Sequence, residues 1–236
     1  MRQYFIDDAL ESGMTIILKD EISHHLKDVL RSRDGDIIRL VDNSSRVFLA
    51  SLSVSNQVTA TIGEQCASED QQGKITCLAC LIKKDKWELL LQKAAELGAD
   101  VIVPVISSRT IIHFEQKEIA KKMERWNKIT LEACQQSNRS SICRVERPVK
   151  LSEVKNYLSD NNLVAYENEE GHHLINYVSD QSISILTGPE GGLSKEEVKY
   201  LNDLGFISCS LGSRILRAET AMMYALSIID GRRSML

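Results

Sequence analysis

The first 66 residues carry short apolar runs that are rich in β-branched side chains. Three such runs occupy residues 37–41, 47–54 and 58–62, and Asp, Asn, Ser, Gln or Gly separates them. These separators have the composition of turns, so the pattern predicts strands that form a meander or a small barrel. One helix is predicted in this region over residues 23–31, with Ser23 as its N-cap.

From Lys74 the pattern changes to strands that alternate with helices. Continuous apolar runs predict buried strands at 75–82, 101–106, 163–166 and 183–186. Apolar positions three or four residues apart predict helices at 86–97, 116–137, 152–158 and 171–178. This alternation is typical of an α/β domain with a mainly parallel sheet covered on both faces. The polar stretch 67–73 predicts the domain boundary, which gives domains 1–70 and 74–236.

A glycine-rich loop follows the last predicted strand and leads directly into a helix. It reads Thr-Gly-Pro-Glu-Gly-Gly over residues 187–192, and Ser194 with Glu197 predicts a capping box. Loops at the carboxyl ends of parallel strands are where α/β proteins bind ligands. No Gly-Lys-Ser/Thr follows, and Glu190 would repel a phosphate, so a triphosphate cradle is excluded. A neutral or cationic ligand fits the loop, and a plain strand-to-helix turn is the alternative.

A second loop reads Gly-Ser-Arg-Ile-Leu-Arg over residues 212–217. Two apolar residues inside a loop, Ile215 and Leu216, indicate a cover for a flat apolar group such as a purine ring. The helix predicted at 218–230 is apolar nearly all round, so it is expected to be buried or to lie in a subunit interface. Residues 231–233 are predicted to end it. The two loops together predict one small-molecule site with two walls.

Composition and charge narrow the classes of partner. The chain has 236 residues, is 43% hydrophobic and carries a net charge of −4. Residues 1–70 hold 7 Lys and Arg against 12 Asp and Glu. This balance argues against a broad electrostatic grip on nucleic acid, so an RNA partner would need local basic groups or a shaped surface. Neither a signal peptide nor an apolar stretch long enough to span a membrane is visible.

The cysteine and histidine patterns predict no metal site. Six scattered cysteines without framework spacing are typical of a reducing cytoplasm. The C-x-x-C of Cys77 and Cys80 falls inside a predicted buried strand, and no second pair completes a zinc site. The adjacent histidines at 24–25 and 172–173 would diverge on a helix, so surface or core packing is the expected role.

The two loops and several other stretches resemble a known family. The pair Gly-Pro-Glu-Gly-Gly-Leu-Ser at 188–194 and Leu-Gly-Ser-Arg-Ile-Leu-Arg-Ala-Glu-Thr-Ala at 211–221 resembles the SPOUT methyltransferases. More narrowly, it resembles the bacterial enzymes that methylate N3 of a uridine in small-subunit ribosomal RNA. The stretches 86–98, 132–139 and 23–31 also match, so the resemblance spans nearly the whole chain. It is strong over 74–229 and looser over 1–66.

The resemblance implies a fold, a cofactor and an assembly. The C-terminal domain would be a trefoil-knotted α/β domain, and the N-terminal one a PUA-like RNA-binding barrel. S-adenosylmethionine would lie between the two glycine loops and the loop that follows the strand at 163–166. Two chains would pair through the terminal helix. The residues expected to bind the cofactor are Leu186, Thr187, Gly188, Glu190, Gly191, Leu211, Gly212, Ser213, Ile215, Leu216 and Thr220.

Methyl transfer to a uracil nitrogen requires positioning and loss of the N3 proton. Arg217 and Glu219 are the candidate catalytic residues. Arg217 would stabilise the uracil anion or hold the base, and Glu219 would orient it or accept a proton. A first-turn acid that favours the helix dipole is the alternative for Glu219. Arg31, Arg109 and Arg139 are the candidate RNA phosphate contacts, although each alone could be a solvated arginine.

The predicted protein is therefore a cytoplasmic homodimeric enzyme without a metal. Its predicted substrate is 16S ribosomal RNA, and the acidic N-terminal domain favours an assembled small subunit over protein-free RNA. Two alternatives stay open. One is a SPOUT methyltransferase that acts on a ribose 2′-hydroxyl or another base. The other is an RNA-binding assembly factor whose cofactor pocket is vestigial.

Overall fold

The computed structural model describes residues 1–67, 72–112 and 114–235. The chain forms two compact units. The first comprises Met1–Asp70 together with Gln135–Ser141, and the second comprises Gln71–Cys134 and Ile142–Leu236. Residues 68–71, in the middle of the predicted boundary, lie outside the described part of the chain.

The first unit is built on a five-stranded sheet. Its strands are β1 (Gln3–Phe5), β2 (Thr15–Ile17), β3 (Ile37–Val41), β4 (Val47–Val54) and β5 (Val58–Gln65). The strand order is β1-β3-β4-β5-β2, with β1 parallel to β3 and the other neighbours antiparallel. The predicted meander is thus confirmed as β3–β5. The two missed strands are three residues long, too short for an alternating pattern to stand out.

The predicted helix in this unit begins earlier than expected. Helix α1 spans Asp20–His24, and a π-helical turn over His25–Val29 follows it directly. Ser23 lies within α1, where its hydroxyl donates to the carbonyl oxygen of Leu18 at 3.0 Å. The prediction of Ser23 as N-cap is therefore wrong. Asp20 and Glu21 occupy the first turn, where carboxylates favour the positive end of the helix dipole.

The second unit contains seven strands and four α-helices among its described residues. The strands are β6 (Ile75–Cys80), β7 (Val101–Ile106), β8 (Arg144–Val145), β9 (Val149–Lys150), β10 (Asn161–Ala165), β11 (Ile183–Thr187) and β12 (Ile207–Cys209). The helices are α2 (Lys84–Glu96), α3 (Gln116–Gln136), α4 (Lys195–Asp203) and α5 (Ala218–Arg233). The predicted helices at 152–158 and 171–178 are short 3₁₀ helices, Leu151–Tyr157 and Leu174–Tyr177.

The strands of this unit form a parallel sheet, as predicted. The order is β12-β10-β11-β6-β7-β8, with β9 also paired to β7, and each of these pairings is parallel. The residues of β11 are all buried, in keeping with a central strand covered on both faces. The neighbours β12, β10 and β11 bring three carboxyl ends together at one edge, where the loops predicted to bind a ligand begin.

The terminal helix extends further than the sequence predicted. Helix α5 continues through Gly231 to Arg233, three residues beyond the predicted helix 218–230. Arg233 is 4% exposed, and its guanidinium donates to three main-chain carbonyl oxygens, those of Gly73, Ser179 and Gln181. These contacts hold the last turn against the unit and offset the low helix propensity of Gly231.

Within the described residues, no helix is long and apolar enough to cross a membrane.

Candidate active site

A cavity of about 470 Å³ lies at the carboxyl ends of β10, β11 and β12. Its walls are the loop after β11, the loop between β12 and α5, and the start of the loop after β10. Its volume falls within the range of small-molecule sites. The two glycine loops do line one cavity, and the loop after β10 supplies the third wall.

Most of the residues predicted to bind a cofactor line this cavity. They are Thr187, Gly188, Glu190, Gly191, Leu211, Gly212, Ser213, Ile215 and Leu216, and the candidate catalytic residue Arg217 lines it as well. Three of the predicted cofactor-binding and catalytic residues do not line it. Leu186 is buried within β11, Thr220 is exposed on α5, and Glu219 is buried in the first turn of α5.

The first glycine loop is held by contacts on both sides. Gly192 has φ +66°, a left-handed conformation that favours glycine. The guanidinium of Arg109 donates to the carbonyl oxygen of Gly191 at 2.9 Å. The predicted capping box is present: the hydroxyl of Ser194 accepts from the amide of Glu197, whose carboxylate accepts from the amide of Ser194. The loop is therefore anchored where it enters α4.

Glu190 faces the start of helix α2. Its carboxylate accepts a hydrogen bond of 3.1 Å from the amide of Lys83, the residue that precedes the first turn of α2. Glu167, at the end of the third wall, also lines the cavity. A Cβ added at Gly192 would lie 2.5 Å from a carboxylate oxygen of Glu167, so that carboxylate lies directly against the loop. Two carboxylates thus line a cavity predicted to take a neutral or cationic ligand.

The second loop combines an unusual backbone with exposed side chains. Gly212 has φ +111°, which only glycine adopts readily. Ile215 is 87% exposed and Leu216 is half-buried, so the loop presents apolar surface at the cavity. Arg214 and Arg217 are exposed and line the same cavity. This arrangement suits a purine-like group between an apolar cover and polar main chain.

Glu219 pairs with a lysine that sequence reasoning gave no role. The ammonium of Lys86, on α2, lies 3.3 Å from Oε1 of Glu219, and Lys86 lines the cavity. Sequence reasoning matched residues 86–98 to the family without assigning a function to them. The contact joins residues 133 positions apart, which no local pattern could indicate.

The three predicted RNA-contacting arginines lie in two units. Arg31 is exposed, has φ +55° and belongs to the first unit. Arg139 belongs to the same unit, and its carbonyl oxygen accepts from the side-chain amide of Gln3 at 2.6 Å. Arg109 belongs to the second unit, beside the first glycine loop. Their contacts with RNA stay predictions.

The cysteine pair lies inside a buried strand, as predicted, whereas His172 and His173 precede a 3₁₀ helix instead of lying on one. Cys77 and Cys80 are 0% and 1% exposed within β6. Burial raises the pKa of the Cys80 thiol to about 12. His24 pairs with Asp28, and His172 pairs with Glu169. Among the described residues, no group of three or more His, Cys, Asp or Glu side chains could hold a metal ion.

Comparison with known proteins places the chain in a family. A model described as an RNA methyltransferase domain matches residues 68–230, and one described as an RNA methyltransferase PUA domain matches residues 18–63. A ribosomal RNA small subunit methyltransferase E of Bacillus subtilis is 32% identical, over 100% of this chain and 98% of its own length. One of Rickettsia conorii is 30% identical, over 96% of this chain and 93% of its own.

Solved structures agree with these matches. A ribosomal RNA small subunit methyltransferase E of Neisseria gonorrhoeae, bound to S-adenosyl methionine, superposes with a TM-score of 0.86. It is 29% identical, over 99% of this chain and 98% of its own. A Legionella pneumophila protein with bound cofactor SAM gives a TM-score of 0.87 at 29% identity, over 97% and 96% of the two chains. The chain therefore belongs to the ribosomal RNA small subunit methyltransferase E family, as its loop motifs predicted.

Proposed function

We propose that this protein transfers a methyl group from S-adenosylmethionine to N3 of a specific uridine in 16S ribosomal RNA. The observation that carries the proposal is the cavity itself, which two glycine loops line at the carboxyl ends of adjacent parallel strands. The names and bound cofactors of relatives that match nearly the whole chain support it. S-adenosylmethionine would supply an electrophilic methyl group on a sulfonium.

The residues of the cavity fit this cofactor. Glycines with positive φ let the main chain approach a ligand closely, and their loops offer polar main-chain groups to an adenine. Ile215 and Leu216 present the apolar surface that a purine ring requires. The carboxylates of Glu167 and Glu190 favour a ligand with cationic groups, as the sulfonium and ammonium are. Leu186 and Thr220 would support the site from beside the cavity.

Arg217 and Glu219 are proposed to take part in the reaction, Arg217 at the cavity and Glu219 beside it. Arg217 immediately precedes α5, is exposed and lines the cavity, so its guanidinium can reach a base that enters from solvent. There it would hold the uracil or stabilise the anion formed when the N3 proton is lost. Glu219 would orient the reacting groups or accept that proton.

The first unit would deliver the RNA. We infer a PUA-like barrel over residues 1–70 and a methyltransferase domain over 74–236, with Arg31, Arg109 and Arg139 on phosphates. The match to an RNA methyltransferase PUA domain supports this division. Because residues 1–70 carry an excess of acidic groups, a preformed surface on an assembled small subunit would be a better substrate than protein-free RNA.

The family resemblance also supports proposals on the knot, the dimer, the location of the protein and its lack of a metal. The second unit would be threaded as a trefoil knot, and α5 would pair two chains through the stripe that includes Tyr224, which is 39% exposed. A ribosomal substrate implies a cytoplasmic protein, and direct methyl transfer requires no metal.

A methyl-transfer assay tests the function. Small subunits from cells that lack the protein are incubated with the purified protein and labelled S-adenosylmethionine, and the modified position is mapped by mass spectrometry. A single 3-methyluridine in 16S RNA is expected. A 2′-O-methyl mark or another methylated base would replace this proposal with a different target. No transfer, together with no cofactor binding by calorimetry at millimolar ligand, would favour an assembly factor.

A further inference from the structure

Lys86 and Glu219 form an ion pair between the first turns of α2 and α5. The ammonium lies 3.3 Å from Oε1, and the two side chains are 33% and 11% exposed. The positive end of the α5 dipole also favours a carboxylate at this position. The pair therefore fixes an ammonium group at the wall of the cavity, since Lys86 is one of its lining residues.

The two partners differ in their access to the cavity. Lys86 lines it and Glu219 does not. Oε2 of Glu219 is buried and has no hydrogen-bond partner among the described residues. The ammonium of Lys86 therefore balances the negative charge of this carboxylate. A buried charge is stable only when it is paired. Glu219 is therefore placed to hold the ammonium rather than to meet a ligand itself.

Lys86 differs from the other cations of the cavity. Arg214 and Arg217 also line it, but they are exposed and no ion pair joins either side chain to another described residue. A charge that is already fixed stabilises a developing opposite charge without the cost of reorganisation. Among the described cavity residues, Lys86 is the cation with such a fixed position.

We propose that the ammonium of Lys86 contacts the target uracil and that Glu219 is a positioning residue that acts through Lys86. The inference rests on the proposed function and deepens it. When N3 loses its proton to solvent water, the electron pair of the N–H bond stays on the ring. N3 then bonds to the methyl carbon as the S–CH3 bond of S-adenosylmethionine breaks, and the thioether S-adenosylhomocysteine leaves. The ammonium of Lys86 keeps its own protons and stabilises the resulting anion. Glu219 then has the orienting role, and proton acceptance is not required of it.

Four variants test this assignment: Lys86→Met, Lys86→Arg, Glu219→Gln and the double variant Lys86→Met/Glu219→Gln. Lys84→Met is the control, because Lys84 lies on the same helix turn, is exposed and does not line the cavity. The readouts are kcat on deficient subunits, the Kd for S-adenosylmethionine by calorimetry, and the melting temperature. Lys86→Met should lower kcat by about 10²- to 10³-fold, with the cofactor Kd changed less than about threefold.

The double variant separates the roles of the two residues. Because Glu219 acts through Lys86, the double variant should be no slower than Lys86→Met, whereas Glu219→Gln alone should lower kcat about tenfold. Lys86→Arg, which keeps the charge, should recover most of the activity, and Lys84→Met should match the wild type. A loss of folding would not produce this pattern of kcat values. In Lys86→Met the carboxylate of Glu219 is left unpaired, and the double variant removes that carboxylate and so controls for its effect on stability.

Three outcomes would overturn the assignment. Full kcat in folded Lys86→Met would remove Lys86 from the reaction. A cofactor Kd raised tenfold with kcat unchanged would place Lys86 on the carboxylate of S-adenosylmethionine instead. A double variant much slower than Lys86→Met would give Glu219 a role of its own. If the wild type itself forms no 3-methyluridine, the proposed function fails, and the Lys86 assignment fails with it.

Discussion

The guanidinium of Arg109 donates a hydrogen bond of 2.9 Å to the carbonyl oxygen of Gly191. Arg109 follows β7, and Gly191 belongs to the loop after β11, so this contact joins loops 82 residues apart in the chain. A Cβ added at Gly191 would lie 3.5 Å from the Cβ of Arg109. Arg109 thus supports the cavity wall, whether or not it also meets RNA.

Replacing Arg109 by alanine should weaken cofactor binding. One hydrogen bond from a charged donor at an exposed site is worth about 1 kcal/mol, so the Kd for S-adenosylmethionine should rise about fivefold by calorimetry. Arg125→Ala is the matched control, because Arg125 pairs with Glu88 and does not line the cavity. An unchanged Kd in Arg109→Ala would mean that the Gly191 loop keeps its shape without this contact.

Replacing Gly192 by alanine should strain the loop and displace the carboxylate of Glu167. Gly192 has φ +66°, and the new Cβ would approach that carboxylate to 2.5 Å. Gly205→Ala is the control: Gly205 has φ +96°, nothing within 4 Å of an added Cβ, and no part in the cavity lining. Both variants should lose about 1 kcal/mol of unfolding free energy. Only Gly192→Ala should weaken cofactor binding, by about tenfold, and equal affinities in the two variants would contradict this.

Replacing Arg233 by methionine should destabilise the second unit. The substitution leaves three main-chain carbonyl oxygens without their donor, those of Gly73, Ser179 and Gln181. The expected loss is about 3 kcal/mol of unfolding free energy, measured by denaturant titration. Arg232→Met changes the neighbouring arginine, whose side chain has no hydrogen bond to another described residue, and should lose less than about 0.5 kcal/mol. Similar losses in both variants would refute an anchoring role for Arg233.

Because of Asp42, the unfolding free energy of the first unit should fall at low pH. Burial alone would raise the pKa of its carboxyl group, but hydrogen bonds from Arg46, Ser44 and Leu10 outweigh that effect and hold the pKa below its ordinary value of 3.8. A depressed pKa contributes stability that is complete above the unfolded value and is lost as the pH falls through the folded value.

Comparison of the wild type with Asp42→Asn measures this contribution. The difference in unfolding free energy between the two proteins should be largest above about pH 5 and should shrink as the pH is lowered towards about 2. A difference that stays constant over this range would show that the carboxylate charge is not what stabilises the fold.

The C-x-x-C should be chemically inert in the folded protein. Burial raises the pKa of Cys80 to about 12, so its thiol stays protonated at neutral pH, and the thiolate is the reactive form. Under native conditions iodoacetamide should modify the half-buried Cys66 first, and Cys77 and Cys80 only after unfolding. Mass spectrometry of the alkylated peptides checks this. Rapid native labelling of Cys80 would contradict the structural role of the pair.

Local patterns in the sequence determined the elements and the place of the site. Continuous apolar runs can be buried only inside a covered sheet, which is why β7 and β11 were predicted almost to the residue. The capping box at Ser194 was predictable because its hydrogen bonds span three residues. The two glycine loops were recognisable because their motifs are local and each leads directly into a predicted helix.

Tertiary structure alone decided the contacts between distant segments. Three such contacts connect residues at least 82 positions apart in the sequence. They are the Lys86–Glu219 ion pair and the hydrogen bonds from Arg109 to Gly191 and from Arg233 to Gly73. Such contacts form only when packing brings separate elements together, so no periodicity or capping signal encodes them. The end of α5 has the same explanation, since the main-chain carbonyl groups of Gly73, Ser179 and Gln181 hold Arg233 in a last turn that local propensity did not predict.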